Sequence, residues 1–255
     1  MKGSIVMNRS KPGIAALALA TAVLGLTGCG KGKDASAVSG EPIASIAAPQ
    51  GKVWADVIGQ TPEGGYRMGN PDAPIKLVEY ASITCSHCAE FSEASMPALR
   101  DTFVNSGRVS YEFRNFVRDP IDLTAAQLTR CGAPETFFAL TEQVLANQTE
   151  MFSKAQAAGE AAYSAAMSQP PATRGAAIAR LTGLTEFFAA RGISVDQANA
   201  CLADTKAAQA LAEMAQKQGE QFEITGTPTF IINGEKADAN TWDVIKNRLE
   251  AMGAR

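Results

Sequence analysis

Ile75-Lys-Leu-Val-Glu-Tyr-Ala-Ser-Ile-Thr-Cys-Ser-His-Cys88 is the stretch whose reading decides the fold. The apolar run from Ile75 to Tyr80 predicts a strand, and Phe91, Met96, Leu99, Phe103 and Val104 recur behind the cysteines at helical spacing. Two thiols two residues apart at a strand-to-helix junction suit reversible disulfide exchange. A helix start offers unpaired backbone N–H groups and the positive end of a dipole, which favour the thiolate, the form that attacks disulfides. Cys85 is therefore the candidate nucleophile. Cys88 lies one turn further on the same side of the helix, able to reach back and expel whatever Cys85 has captured, which makes it the resolving thiol.

Upstream of this stretch, Val53 to Met68 reads as mixed and short-stranded, and Gly69-Asn-Pro-Asp-Ala-Pro74 is a turn cluster. Downstream, the helical pattern stops at Asn105-Ser-Gly107, and Val109 to Val117 alternates apolar with charged residues, completing a strand, helix, strand unit. From about Asp119 to Gly219 the chain is Ala-rich and poor in β-branched residues, with breaks at Gly132, Gly159, Gln169-Pro170-Pro171 and Gly192, as a helical insertion would be. No repeat of fixed period is visible, which excludes a solenoid. Ile224-Thr-Gly-Thr-Pro-Thr-Phe-Ile-Ile-Asn-Gly234 then reads as a strand with Pro228 at its start, the position a strand tolerates, and Trp242 to Leu249 as an amphipathic terminal helix.

With 255 residues the chain can bury a large core, so it needs no disulfide scaffold merely to fold. The first 28 positions hold Lys2, Arg9, Lys11 and no acid; a formal charge of −3 overall leaves the remainder acidic and argues against nucleic acid as a partner. A basic segment, an apolar core from Ile14 to Leu26 and Leu26-Thr-Gly-Cys29 read as a bacterial lipoprotein signal with Cys29 as the lipidated residue. An ordinary cleaved signal is the alternative; a membrane span is disfavoured, because about 13 apolar residues fall short of the ~20 a bilayer requires. The segment from Gly30 to Gln50, rich in Gly, Ser, Ala and Lys, suits a flexible tether. Gly30 after Cys29 also lacks the aspartate linked to inner-membrane retention in enteric bacteria.

Glu79-Tyr-Ala-Ser-Ile-Thr-Cys-Ser-His-Cys88 and Thr225-Gly-Thr-Pro-Thr-Phe-Ile-Ile-Asn-Gly234 together resemble the thioredoxin-fold DsbA family of bacterial thiol-disulfide oxidoreductases, over about Gly69 to the C-terminus. The resemblance implies an α/β thioredoxin fold, a central mixed β-sheet flanked by helices, with an inserted all-helical domain. Residues 1–28 are then the signal peptide, 29–50 the tether, 51–118 and 220–255 the two parts of the core, and 119–219 the insertion. It also implies a cis peptide bond at Thr227-Pro228 beside the cysteines, presenting a backbone edge on which a substrate strand pairs while its sulfur is attacked. A trans proline that merely opens a strand is the bland alternative.

His87 is the only histidine, and its ring can stabilise the Cys85 thiolate, making the disulfide more oxidising. Ser86 departs from the proline most common there in the family's oxidases, which weakens that inference. Glu79 matches the place where family members often carry a buried carboxylate beneath the resolving cysteine, able to exchange a proton with Cys88; an edge-strand glutamate exposed to water is the competing reading. Cys131 and Cys201 remain, and three readings stand: a structural bridge, favoured in an oxidising compartment, a second redox couple, or a free thiol. A zinc site on Cys85 and Cys88 lacks two further ligands, so no metal is expected.

The leading expectation is an envelope dithiol oxidase, in the bacterial periplasm and anchored to the membrane through Cys29. It would act on exported proteins with free thiols or disulfides and be reoxidised by a DsbB-type membrane oxidase, with no cofactor beyond the Cys85-Cys88 disulfide. The same chemistry run from the reduced state makes a disulfide isomerase or reductase. Isomerases of this fold commonly use an N-terminal dimerisation domain, and none is evident. A binding lipoprotein with an inert Cys85-Cys88 bridge is a third reading of a different class.

Overall fold

The computed structural model of the protein describes residues 40–255. The expected signal peptide, Cys29 as the expected lipidated residue and the first part of the expected tether lie outside the described residues. Six strands form one sheet in the order β1-β2-β4-β3-β5-β6: β1 (Ile58–Gln60), β2 (Tyr66–Met68), β3 (Ile75–Ala81), β4 (Val109–Asn115), β5 (Thr229–Ile232) and β6 (Glu235–Ala237). β3 and β4 are parallel, as a connection through a helix requires, and every other pairing is antiparallel. The fold class is the expected one: a mixed sheet flanked by helices, interrupted by an all-helical insertion.

Register is what brings distant parts of the sequence together. Tyr80 faces Thr229 and Glu79 faces Phe230 across the antiparallel pair β3/β5. The residues that follow β3 therefore run beside those that precede β5, and Cys85 and Thr227, 142 positions apart in sequence, come within hydrogen-bond distance.

From β3 the chain enters α1 (Ser86–Ala98) with Cys85 as its N-cap residue. Pro97 sits inside this helix and has no N–H to donate, and the chain continues through a wider π-helical turn, Leu99–Val104, before stopping at Asn105. Seven helices fill the insertion: α2 (Pro120–Thr129), α3 (Phe137–Ala146), α4 (Gln148–Met167), α5 (Pro171–Leu181), α6 (Leu184–Ala189), α7 (Val195–Ala203) and α8 (Thr205–Gln221). Asp119, Ser194 and Asp204 cap α2, α7 and α8 with their side chains. Gly159 bends α4 at φ 83°, and Gly183 takes φ 70° between α5 and α6, conformations that favour glycine. α9 (Trp242–Ala251) closes the chain against α1, with Trp242 edge-on to Phe91 and Phe103.

Two expectations need correction. β4 does not alternate between core and water: Ser110 and Glu112 are buried as well as Val109, Tyr111 and Phe113. β4 has β2 and β3 along its two edges, and its polar side chains find partners on the same strand and on neighbouring segments. Thr61 Oγ1 donates to Glu112 Oε1 at 2.7 Å, and Arg114 donates to Glu112 at 2.6 Å and to the Tyr80 hydroxyl at 2.9 Å. The second correction concerns residues 40–48, which composition assigns to the flexible tether. They are docked: Gly40 N–H donates to Ala251 O, Ile43 N–H to Gly253 O and Ile46 N–H to Ser106 O, and Trp54 Nε1 donates to Ile46 O at 2.7 Å. Ile43 and Ala48 also pack on the core, contacts that a composition average cannot register.

Where the insertion meets the sheet, Arg130 is half-buried and has no carboxylate partner among the described residues. It donates to Asn115 Oδ1 and to Gly64 O and lies over the rings of Tyr66 and Phe137. Burial pushes its pKa down to about 10. The next residue, Cys131, is joined by a disulfide to Cys201 in α7. Closing a loop with a sequence separation of 70 residues contributes roughly 4 kcal/mol by unfolded-state entropy, an upper-end figure. The double variant Cys131→Ala/Cys201→Ala is therefore expected to unfold at lower denaturant than the oxidised parent, by up to about that amount, while Cys85 keeps its reactivity.

Candidate active site

Cys85 stands where the C-terminal end of β3 turns into α1, 4% exposed, and both Cys85 and Cys88 are thiols. Its Sγ–H donates to the Thr227 carbonyl at 3.2 Å, across the cleft from a cis Thr227-Pro228 peptide. The Cys85 pKa is pushed down to about 4. The neighbouring Cys88 thiol is the largest cause; the Thr227 side chain and the backbone N–H groups of Cys88 and His87 add to it, against the cost of burial. An N-cap sulfur faces the helix's unpaired N–H groups, which explains why the backbone can serve it.

Cys88 is fully buried and its pKa is driven the other way, first by burial, then by the bond it gives Cys85 and by the charge of Glu79. The asymmetry is chemical: one sulfur is stable as an anion, the other only as a thiol. Glu79 is 2% exposed, because β3 is an interior strand. Burial pushes its pKa up to about 8; the Tyr111 hydroxyl, which donates to its carboxylate, pulls it part of the way down. Near neutrality it can hold or release a proton beside Cys88.

His87 contributes its backbone N–H to the Cys85 thiolate. Its ring is exposed and borders a hollow of about 250 Å³ with Glu90, Phe91, Trp242 and Asp243. The geometry therefore credits the peptide group at this position, since an exposed ring is screened by water.

Three residues escaped sequence reasoning. Gln148, buried at the start of α4, donates to Ile83 O at 2.6 Å and to Cys85 O at 2.9 Å. Asp119 accepts the Thr84 hydroxyl at 2.6 Å, and Asp122 accepts the Ile83 N–H at 2.8 Å. All three reach the loop before Cys85 from the insertion. The sequence places Asp119 at the start of the helical insertion, but nothing in it says what Asp119, Asp122 or Gln148 faces. Among the described residues no cluster of three or more His, Cys, Asp or Glu is arranged to hold a metal ion.

Comparison with known proteins adds to this geometry. A family model described as Thioredoxin matches residues 61–251. A solved structure of a protein-disulfide isomerase from Novosphingobium aromaticivorans superposes with a TM-score of 0.69 and 34% identity, covering 72% of this chain and 95% of that one. The alpha-DsbA1 of Wolbachia pipientis shares the fold, with a TM-score of 0.60, 23% identity, and coverage of 76% and 93%. A Rickettsia bellii protein with the provisional name protein-disulfide oxidoreductase is 25% identical over 171 residues, which cover 67% of this chain and 58% of that one.

Two outcomes follow from the titration of the site. Cys85 in the reduced protein should be alkylated by iodoacetamide at a rate that is flat from pH 6 upward, within about twofold, and falls as pH drops through about 4. Because the folded pKa lies below the usual thiol value, the reduced fold gains stability over the oxidised one as pH rises from about 4 towards 9 and loses it on acidification. Glu79 has the opposite sign. Its raised pKa costs stability as pH climbs from 4.5 to about 8, so Glu79→Gln should flatten that slope in a series of melting curves, by a few kcal/mol at most.

Proposed function

The chain belongs to the thioredoxin family, on the DsbA-like plan in which inserted helices interrupt the core, and from that premise we propose that it is a protein dithiol-disulfide oxidoreductase that introduces disulfides into exported proteins. The observation that carries this reading is the opposed tuning of two thiols one helical turn apart, with Cys85 facing the Thr227 edge.

In the oxidised enzyme a substrate thiolate attacks Cys85 Sγ. The Cys85–Cys88 bond breaks, a mixed disulfide forms, and the departing Cys88 sulfur takes up a proton, for which Glu79 is the adjacent donor. A second substrate thiolate then attacks the substrate sulfur of the mixed disulfide and releases Cys85 as the stabilised thiolate. The substrate loses two electrons and two protons and gains one disulfide; the enzyme gains two electrons and one proton, held by Cys88 once Glu79 is reprotonated, and the second proton goes to solvent. Low basicity of the leaving sulfur favours this direction. Thr227 and Pro228 present the backbone edge along which the extended substrate lies.

In this reading the redox-active disulfide is the only cofactor, Cys29 anchors the protein to the membrane on the periplasmic side, and a DsbB-type membrane oxidase reoxidises the pair. Among the described residues no helix is long and apolar enough to cross a membrane. A second reading, disulfide isomerisation or reduction from the dithiol state, is favoured by the likeness to the Novosphingobium aromaticivorans isomerase.

Equilibration of the Cys85/Cys88 pair with a glutathione buffer separates the two. A potential well above the about −270 mV of thioredoxin is expected, and a value as low as that would assign the protein to reduction instead. Cys85→Ala should abolish oxidation of a dithiol peptide; full activity without that sulfur would end both readings and leave an inert bridge.

A further inference from the structure

Asp122 is fully buried in the first turn of α2, and its two carboxylate oxygens serve opposite walls of the cleft. Oδ1 accepts the Ile83 N–H at 2.8 Å, and the Ser82 hydroxyl also bonds the carboxylate. Both residues belong to the loop that delivers Cys85. Oδ2 accepts the Arg118 N–H at 3.0 Å. The guanidinium of that same Arg118 donates through Nη1 to Thr227 Oγ1 at 3.4 Å, and the Thr227 carbonyl lies 3.2 Å from Cys85 Sγ. The path closes on itself: nucleophile loop, Asp122, Arg118, Thr227, nucleophile.

We propose that Asp122 is a positioning residue for the reaction at Cys85, its single carboxylate setting the spacing between the attacking sulfur and the Thr227-Pro228 edge on which the substrate lies. The inference rests on the oxidoreductase reading and names the part of the insertion that serves the reaction. Two backbone N–H groups on opposite sides require two acceptor oxygens on one planar group, which aspartate has; asparagine would turn an NH₂ against one of them. Asp119 cannot substitute, because its oxygens are taken by the Thr84 hydroxyl and the Asp122 N–H. Nor is the carboxylate a cheap way to hold a helix end. Burial, its largest influence, pushes its pKa up to about 7 despite the bonds from Ser82, Arg118 and Ile83, so an ionised Asp122 costs the fold stability that an apolar residue would not.

The test compares reduced wild type, Asp122→Asn and Arg118→Met in three measurements: the ultraviolet titration of the Cys85 thiolate, kcat/KM for oxidation of a dithiol peptide, and the melting temperature. In Asp122→Asn the Cys85 titration should move up by about one pH unit, with about a tenfold fall in kcat/KM. In Arg118→Met, an exposed change that leaves the backbone bond to Asp122 in place, kcat/KM should fall about threefold, the loss of one hydrogen bond, with the titration unmoved. A lowered melting temperature in Asp122→Asn with an unshifted Cys85 titration would mean a purely structural role and overturn the proposal. Should Asp122→Asn fail to fold, Arg118→Met decides: a wild-type kcat/KM overturns it. Wild-type protein that oxidises no peptide would defeat the oxidoreductase reading, and the Cys85 titration would still judge Asp122.

Discussion

The site depends on a sulfur held where a helix begins. Cys85 closes α1 at its N-terminus, so the N–H groups that no preceding carbonyl satisfies lie within reach of its Sγ, and the Cys88 thiol one turn on adds a hydrogen bond from inside the core. The same turn that exposes Cys85 to those donors buries Cys88, and burial makes the second sulfur a poor anion. The offset of two positions by one helical turn thus sets the two thiols apart, and the Thr227 side chain at Cys85 and Glu79 beside Cys88 widen the difference.

Around this pair the fold invests in position. The sheet contributes through register: β5 runs antiparallel to β3, which sets Thr227 opposite the segment leaving Tyr80. The insertion contributes through polar side chains that reach back to the loop between Ala81 and Cys85, Asp119 and Asp122 from the start of α2 and Gln148 from the start of α4. Helix starts are where unpaired backbone groups and short polar residues gather, so they are the natural places for such contacts. The insertion thereby supports the site as well as packing its own apolar helices into the core. Its attachment to the sheet is also polar, through a half-buried Arg130 that finds amide and carbonyl oxygens and two aromatic faces in place of a carboxylate.

Polar groups are buried throughout this region, and each is balanced differently. Glu112 and Arg114 neutralise each other behind the sheet. Glu79 has Tyr111 alone and keeps its proton to higher pH, which suits a group that lends a proton to a neighbour and takes it back. Asp122 has three donors and sits between these cases. The cost of burying an acid falls with the number of donors it accepts from, and the remaining cost appears as a raised pKa.

Local chemistry along the chain was enough to mark the strand-helix-strand unit, the strand-to-helix junction at Cys85 and the helical character of the stretch after Asp119, because hydrophobic period, breakers and cysteine spacing are properties of neighbours in sequence; the thioredoxin fold class came from the resemblance of Glu79–Cys88 and Thr225–Gly234 to a known family. It misjudged β4 and residues 40–48, where what decides burial is an adjacent strand or the end of α9 rather than the residues themselves. Pro97 lies inside α1 and a wider π-helical turn follows it, which no spacing rule announces. Whether Glu79 meets water or Tyr111, and which backbone amides Asp122 accepts, were settled by tertiary structure alone. A pKa is set by solvation and by charges a few ångströms away, and those neighbours are up to 142 positions distant along the chain.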